Sequence, residues 1–401
     1  MSSSPFEATC TAPVNIAVVK YWGKRDTALI LPTNSSLSVT LDQDDLRSLT
    51  TARVIETGTH DRLWLNGIEE QITPGSRIET CLKELRHIRN EFESKDTNLD
   101  KIAHHPLHIA SENNFPTAAG LASSASGLSA LIKTIATVYN LEHLGYSVEN
   151  LSRIARQGSG SACRSMFGGY VGWQMGERAD GHDSVAYQVV DKEHWSTLDA
   201  IILVVSDKKK GTASTAGMQR TVHTSALLEH RIKHVVPQRM QRIEHAIRER
   251  DFDTFARQTI ADSNQFHAVC LDTTPPIFYL NDTSRQIIQL VEELNRASVE
   301  AGLGLVAAYT YDAGPNAVLY VERKHTQLVL QTVLEYFPQR EPIQVESAVE
   351  TPKTFNRQVI QRQEVGAVTR IIQTRVGDGP RVLDTNQHGL FGPDGFPKNQ
   401  K

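Results

Sequence analysis

From Pro116 to Gly127 the chain reads Pro-Thr-Ala-Ala-Gly-Leu-Ala-Ser-Ser-Ala-Ser-Gly, and small side chains dominate it. A strand-like stretch, Leu107 to Ala110, leads into it through Ser111 to Phe115, and a helical pattern leaves it toward Tyr139. Few structures suit such a segment. Small side chains let the backbone approach a ligand closely, and a helix starting here would aim unpaired N–H groups and the positive end of its dipole at an anion. Ser123 and Ser124 would add hydroxyls for phosphate or magnesium. A helix end packed tightly on a sheet has the same composition, so the stretch alone leaves both readings open. It is not a Walker A loop, because no Gly-Lys-Ser/Thr follows.

Three further segments share this ambiguity. Gly158-Ser159-Gly160-Ser161-Ala162-Cys163-Arg164 offers hydroxyls and an arginine able to grip an anion with a fork of N–H groups; it also reads as an ordinary turn with a surface Arg. Asn15 to Asp26 closes an apolar strand with Lys20, Lys24 and Arg25, either an anion site or a solvated strand end. Asp312-Ala313-Gly314-Pro315-Asn316 lies between two strands, where a carboxylate serves as a general base or caps its own turn. Gly211 to Gly217 places hydroxyls beside Lys208 to Lys210. His104-His105-Pro106-Leu107-His108 lacks an acidic or Cys partner at metal-ligand spacing and reads as a surface loop. No Gly-x-Ser-x-Gly motif exists, which argues against a serine hydrolase.

Periodicity organises the rest. Ser36 to Leu41 alternates as a half-buried strand does. Leu63-Trp64-Leu65 runs into Asn66-Gly67, a hairpin signal. Ile78, Cys81, Leu82, Leu85, Ile88 and Phe92 mark an amphipathic helix. Leu198 to Val205 reads as a buried strand opening a second domain, followed by about 90 mainly helical residues broken at Thr273-Thr274-Pro275-Pro276. The expectation is an α+β chain of two domains, 1–195 and 196–376, with a loosely ordered Gly- and Pro-rich tail over 377–401.

Composition narrows function. With 42 basic against 46 acidic residues, the net charge is −4. A general nucleic-acid binder carries a basic excess, so any polyanion must be held by a local cluster. Four separated cysteines suggest reduced thiols. No apolar run reaches the ~18 residues of a membrane span, and the first residues lack a signal-peptide pattern. These features lead to the expectation of a cytoplasmic protein binding neither nucleic acid nor membrane.

Taken in order, the four segments resemble the GHMP kinase superfamily. Most of its small-molecule kinases have Gly where Ala122 stands. The Ala122 version, with Val14 to Lys24, Ser159 to Arg164 and Asp312 to Asn316, is similar to the mevalonate diphosphate decarboxylases, and the likeness runs from about Thr11 to Tyr320. The resemblance implies a ribosomal S5 domain 2-like N-terminal part, a ferredoxin-like C-terminal part and a homodimer. It implies the conversion of ATP and (R)-mevalonate 5-diphosphate to isopentenyl diphosphate, ADP, phosphate and CO2, with Mg2+. It makes Asp312 the base, Lys24 its charged neighbour and Arg164 a third catalytic group. Substrate contacts would be Asn15, Tyr21, Trp22, Gly23, Lys24, Arg77, Ser159, Gly160, Ser161, Ala162, Cys163, Arg164, Ser214 and Thr215. Ala119, Gly120, Leu121, Ala122, Ser123, Ser124, Ala125 and Ser126 would hold ATP, with Ser124 on the metal. Two alternatives are a 3-kinase of mevalonate or its monophosphate that does not decarboxylate, and a non-catalytic binder of ATP or isoprenoid precursors.

Overall fold

The computed structural model describes residues 6–115, 123–205 and 211–400, apart from the Ser123 side chain. Numbered in chain order, its strands form four sheets. The first runs β16 (Arg381–Leu383), β1 (Glu7–Pro13), β6 (Arg47–Val54), β9 (Leu107–Asn113), β7 (Arg62–Leu65) and β8 (Ile68–Glu70). The second runs β11 (Ala186–Val190), β10 (Tyr170–Trp173), β5 (Ser36–Thr40) and β2 (Asn15–Val19). The third runs β13 (Ala308–Tyr311), β14 (Ala317–Glu322), β12 (Leu198–Val204) and β15 (Arg370–Arg375). The short β3 (Lys24–Asp26) and β4 (Leu31–Pro32) pair with each other.

The helices are α1 (Arg77–Lys95), α2 (Ser123–Val138), α3 (Val148–Gly158), α4 (Ser214–Thr224), α5 (Ala226–His230), α6 (Val236–Glu249), α7 (Phe252–Asp272), α8 (Asp282–Glu300), α9 (Thr326–Tyr336) and α10 (Thr385–His388). Leu82 and Leu85 of α1, Leu131 and Ile135 of α2 and Ile154 of α3 cover the first sheet through Ile109 and Val54. Ile16 and Val39 of the second sheet share a core with Ile202 and Tyr320 of the third and with Ile243 and Phe255 of α6 and α7. The opposite face of the third sheet, with Ile201, Leu203 and Leu319, receives Leu290 of α8 and Val329 of α9. One continuous core thus joins the halves of the chain and brings β2, β13 and α7 together.

Two expectations are corrected. Every residue of β5 is buried, so it is not half-exposed: Ser36 and Ser38 face the buried Arg164. The tail is packed as far as residue 400. β16 pairs antiparallel with β1, and Leu390 and Phe391 bury against Trp64 and Ala110. Arg53 and Arg62 lie over the Phe391 and Phe396 rings at 5.3 and 5.1 Å. Gly and Pro concealed an anchor whose partners lie hundreds of positions away.

Candidate active site

The centre forms where β2 and β13 end. A bulge at Val18 breaks the β2 pairing just before Lys20, the kind of irregularity that re-aims a side chain. The Lys20 ammonium lies 2.6 Å from Asp312 Oδ1, with the lysine side chain 3% and the aspartate side chain 32% exposed. A buried cation thus holds the carboxylate, while about a third of the aspartate side chain stays exposed. The Lys20 backbone is held too. Its N–H donates to Asp262 at 2.7 Å, and its carbonyl accepts from Arg231 at 3.0 Å and from Asn34 at 3.0 Å. Asp262 and Arg231 form an ion pair with neither side chain exposed. Burial pushes the Asp262 carboxyl up, but Arg231, Arg239 and the Lys20 amide outweigh it and hold its pKa below the ordinary value.

Arg164 lies in a 3-10 turn, Gly160–Met166, and is 2% exposed. It donates to Ser38 at 3.0 Å, Asn15 at 3.3 Å and Ser36. None of these is charged, and burial lowers its pKa. Asn15 also donates to the Ser161 carbonyl at 3.1 Å and Ser165 at 2.7 Å, tying β2 to the turn. A buried guanidinium held by neutral groups is poised for an external anion. Gly160 lets the turn approach: a Cβ there would come within 2.7 Å of the Tyr21 ring. Tyr21 packs edge-on against Trp173 with centroids 4.7 Å apart.

A second cationic group forms the rim. Lys24 is buried, and burial together with the Arg77 charge brings its pKa down to about 8. Arg77, exposed at the start of α1, donates to Thr215 at 3.3 Å in the first turn of α4, next to Ser214. Trp22 anchors α4 from below by donating to Thr221 at 3.1 Å. Gly23 takes φ +95°, where a Cβ would strike Thr33 Oγ1 at 2.6 Å.

The sequence-derived residues thus gather in part. Asn15, Ser161 and Arg164 meet on one floor; Tyr21, Lys24, Arg77 and Thr215 form the rim. Lys24 is not the neighbour of Asp312. Lys20 is, because the bulge and the Asp262–Arg231 pair direct the earlier lysine there. Gly160, Ala162 and Cys163 are buried, with the Ala162 N–H donating to the Ser159 carbonyl at 2.8 Å and the Cys163 thiol to Gly160 O at 3.0 Å. Ser159 is half-buried at the C-terminus of α3. Ala119, Gly120, Leu121 and Ala122 lie outside the described residues, as do Lys208 to Lys210; only the backbone of Ser123 is described. Ser124 is exposed in the first turn of α2, which carries no acidic residue. Ala125 and Ser126 point inward, and Ser126 hydrogen-bonds Ser48 at 2.8 Å, so its hydroxyl serves packing. From the sequence, Lys20 stood in a candidate anion site without a role of its own, and Ser36, Ser38 and Asp262 gave no functional signal. The one local signal was a lysine following a strand that is apolar apart from Asn15.

A two-module α+β chain with a lysine-paired carboxylate, buried cations and a helix N-terminus free of acidic residues belongs to the GHMP kinase class of folds. The sequence model for the "Diphosphomevalonate decarboxylase-like N-terminal domain" matches residues 12–186, and that for the "Mevalonate 5-diphosphate decarboxylase C-terminal domain" matches 200–383. The chain belongs to the mevalonate 5-diphosphate decarboxylase family. It is 58% identical to the diphosphomevalonate decarboxylase of Ganoderma lucidum, covering 98% of this chain and 100% of that one. The solved mevalonate diphosphate decarboxylase from Trypanosoma brucei superposes with a TM-score of 0.85 at 35% identity, covering 96% of this chain and all of the other. A structure described as MDDEF in complex with MVAPP, AMPPCP and magnesium gives a TM-score of 0.73 at 29% identity, covering 95% and 99%.

Proposed function

We propose that this chain decarboxylates (R)-mevalonate 5-diphosphate at the expense of ATP, giving isopentenyl diphosphate, ADP, phosphate and CO2. The observation that carries the site assignment is the Asp312 carboxylate, a third exposed and paired with Lys20, near an Arg164 guanidinium whose hydrogen-bond partners among the described residues are all neutral. Asp312 aligns the tertiary 3-hydroxyl and accepts its proton late, as that oxygen takes the γ-phosphoryl group. The new C–O–phosphate bond then breaks. The electron pair of the C–CO2 bond forms the alkene, and CO2 leaves. Arg164, Lys24 and Arg77 hold the negative charge of the two substrates. Two like charges ~4 Å apart repel by about 4 kcal/mol at an effective dielectric near 20, so co-binding needs such cations.

The amides at the start of α2 and the Ser124 hydroxyl suit ATP. Among the described residues no cluster of three or more His, Cys, Asp or Glu could hold a metal ion. A lone hydroxyl fits Mg2+ that arrives on nucleotide phosphates and keeps most of its waters. When bound, the ion neutralises phosphate charge. The magnesium-bearing relative supports this reading.

We assign 1–195 to the N-terminal and 196–376 to the C-terminal domain, a division supported by the passage into the third sheet at β12. The homodimer and the cytoplasmic location are inferred from the family and from four buried free cysteines. No helix among the described residues is long and apolar enough to cross a membrane. Incubation with ATP, Mg2+ and mevalonate 5-diphosphate tests the assignment. CO2 and phosphate are expected in step with ADP; ADP without CO2 would make the chain a kinase.

A further inference from the structure

We propose that His267 and Ser263, one turn apart on α7, are positioning residues that aim Asp312 by clamping the backbone of Tyr311. This rests on the reading of Asp312 as the base. Residues four apart share one helix face, and here both meet the residue immediately before Asp312. Ser263 accepts the Tyr311 N–H at 3.0 Å. The His267 ring lies against Tyr311, whose backbone acts on it as a hydrogen-bonding group and raises its pKa. Its Nε2 is buried without a partner among the described residues, so Nδ1 is the ring nitrogen we assign to the Tyr311 carbonyl. The ring is 8% exposed and stands edge-on to the Tyr311 ring, with centroids 6.2 Å apart at 81°. The Tyr311 N–H and ring are thereby held against α7, with His267 beside its backbone.

The neighbouring Asp262 accepts the Lys20 N–H. This stretch of α7 therefore registers both the carboxylate and its lysine, although these follow strands of different sheets. Burial and the Lys20 charge bring the His267 pKa down to about 3, against weaker opposing effects of the Tyr311 backbone and Asp312. The ring stays neutral at working pH and acts as a fixed donor that exchanges no proton with substrate. Misplacing a reacting group by a fraction of an ångström lowers turnover without weakening substrate binding.

The test uses the full-length enzyme and mevalonate 5-diphosphate. His267→Leu removes the donor; His267→Asn returns an N–H near the Nδ1 position. His267→Leu is expected to lower kcat by about tenfold or more while KM stays within about twofold, and His267→Asn to recover most of the loss with an unshifted pH profile. In an Asp312→Asn background, His267→Leu is expected to change the residual rate by less than about twofold, because the group it aims is gone. Equal fold losses in both backgrounds, or a His267→Leu enzyme at full kcat, overturn the clamp and leave the base assignment standing. A fully active Asp312→Asn enzyme overturns the base assignment itself. Should His267→Leu fail to fold, Ser263→Ala reads the same clamp, and an unchanged kcat there refutes it.

Discussion

Lys20→Met separates the two lysines that the sequence could not rank. The ammonium is buried 2.6 Å from Asp312, and methionine retains most of its volume. Full Coulomb attraction at this distance would exceed about 4 kcal/mol at a dielectric near 20. The aspartate is a third exposed, so water screens much of that. A charge-assisted hydrogen bond of about 1.5–3 kcal/mol is the appropriate scale. If that bond holds Asp312 in its reacting orientation, kcat falls roughly 10- to 150-fold. The fold survives, because the Asp312 carboxylate is a third exposed and can hydrate. Lys24→Met should instead raise KM for the diphosphate substrate and leave kcat nearly unchanged, since Lys24 belongs to the Arg77 group. Steady-state CO2 and ADP release, with circular dichroism as the control for folding, measures both. A Lys20→Met enzyme within about threefold of the parent kcat, beside a Lys24→Met enzyme with collapsed kcat, would refute the assignment.

Other consequences follow from the same geometry. Arg164→Lys exchanges a buried fork for a point charge and leaves Ser36, Ser38 and Asn15 without their donor, so affinity for mevalonate 5-diphosphate should drop roughly tenfold or more; unchanged affinity by calorimetry would count against the contact. Lys24, with its pKa brought down to about 8, loses its charge as pH rises past that value, so KM for the diphosphate should climb above pH 8 in the parent and stay flat in Lys24→Met. The stability sign is opposite: between about 8 and the ordinary 10.5 the unfolded chain binds more protons at this site, so its contribution to stability rises with pH. Ser124→Ala should slow the ATP-dependent rate most at low Mg2+, and equal kinetics across a Mg2+ titration would remove this hydroxyl from the nucleotide site.

What the sequence conveyed was local chemistry, and what it withheld was aim. The Asp312 turn was legible because Gly314 and Pro315 punctuate two apolar strands. Asn66-Gly67 announced its hairpin for the same reason, and the helix from Arg77 showed its buried stripe. Lys20 and Lys24 close one strand with the same charge, and nothing within ten residues ranks them. The ranking comes from partners 242 and 292 positions away, Asp262 and Asp312. Ser36 and Ser38 looked like a solvated strand face because alternation records polarity; it does not record whether a buried arginine lies opposite. His267 gave no signal, since an imidazole among Phe266 and Val269 on a helix face reads as packing. The aspartate appears in the sequence as a residue type with several possible uses. In the proposed mechanism it becomes a directed base only when α7 fixes Tyr311 and Lys20 together, and that constraint exists only once the chain has folded.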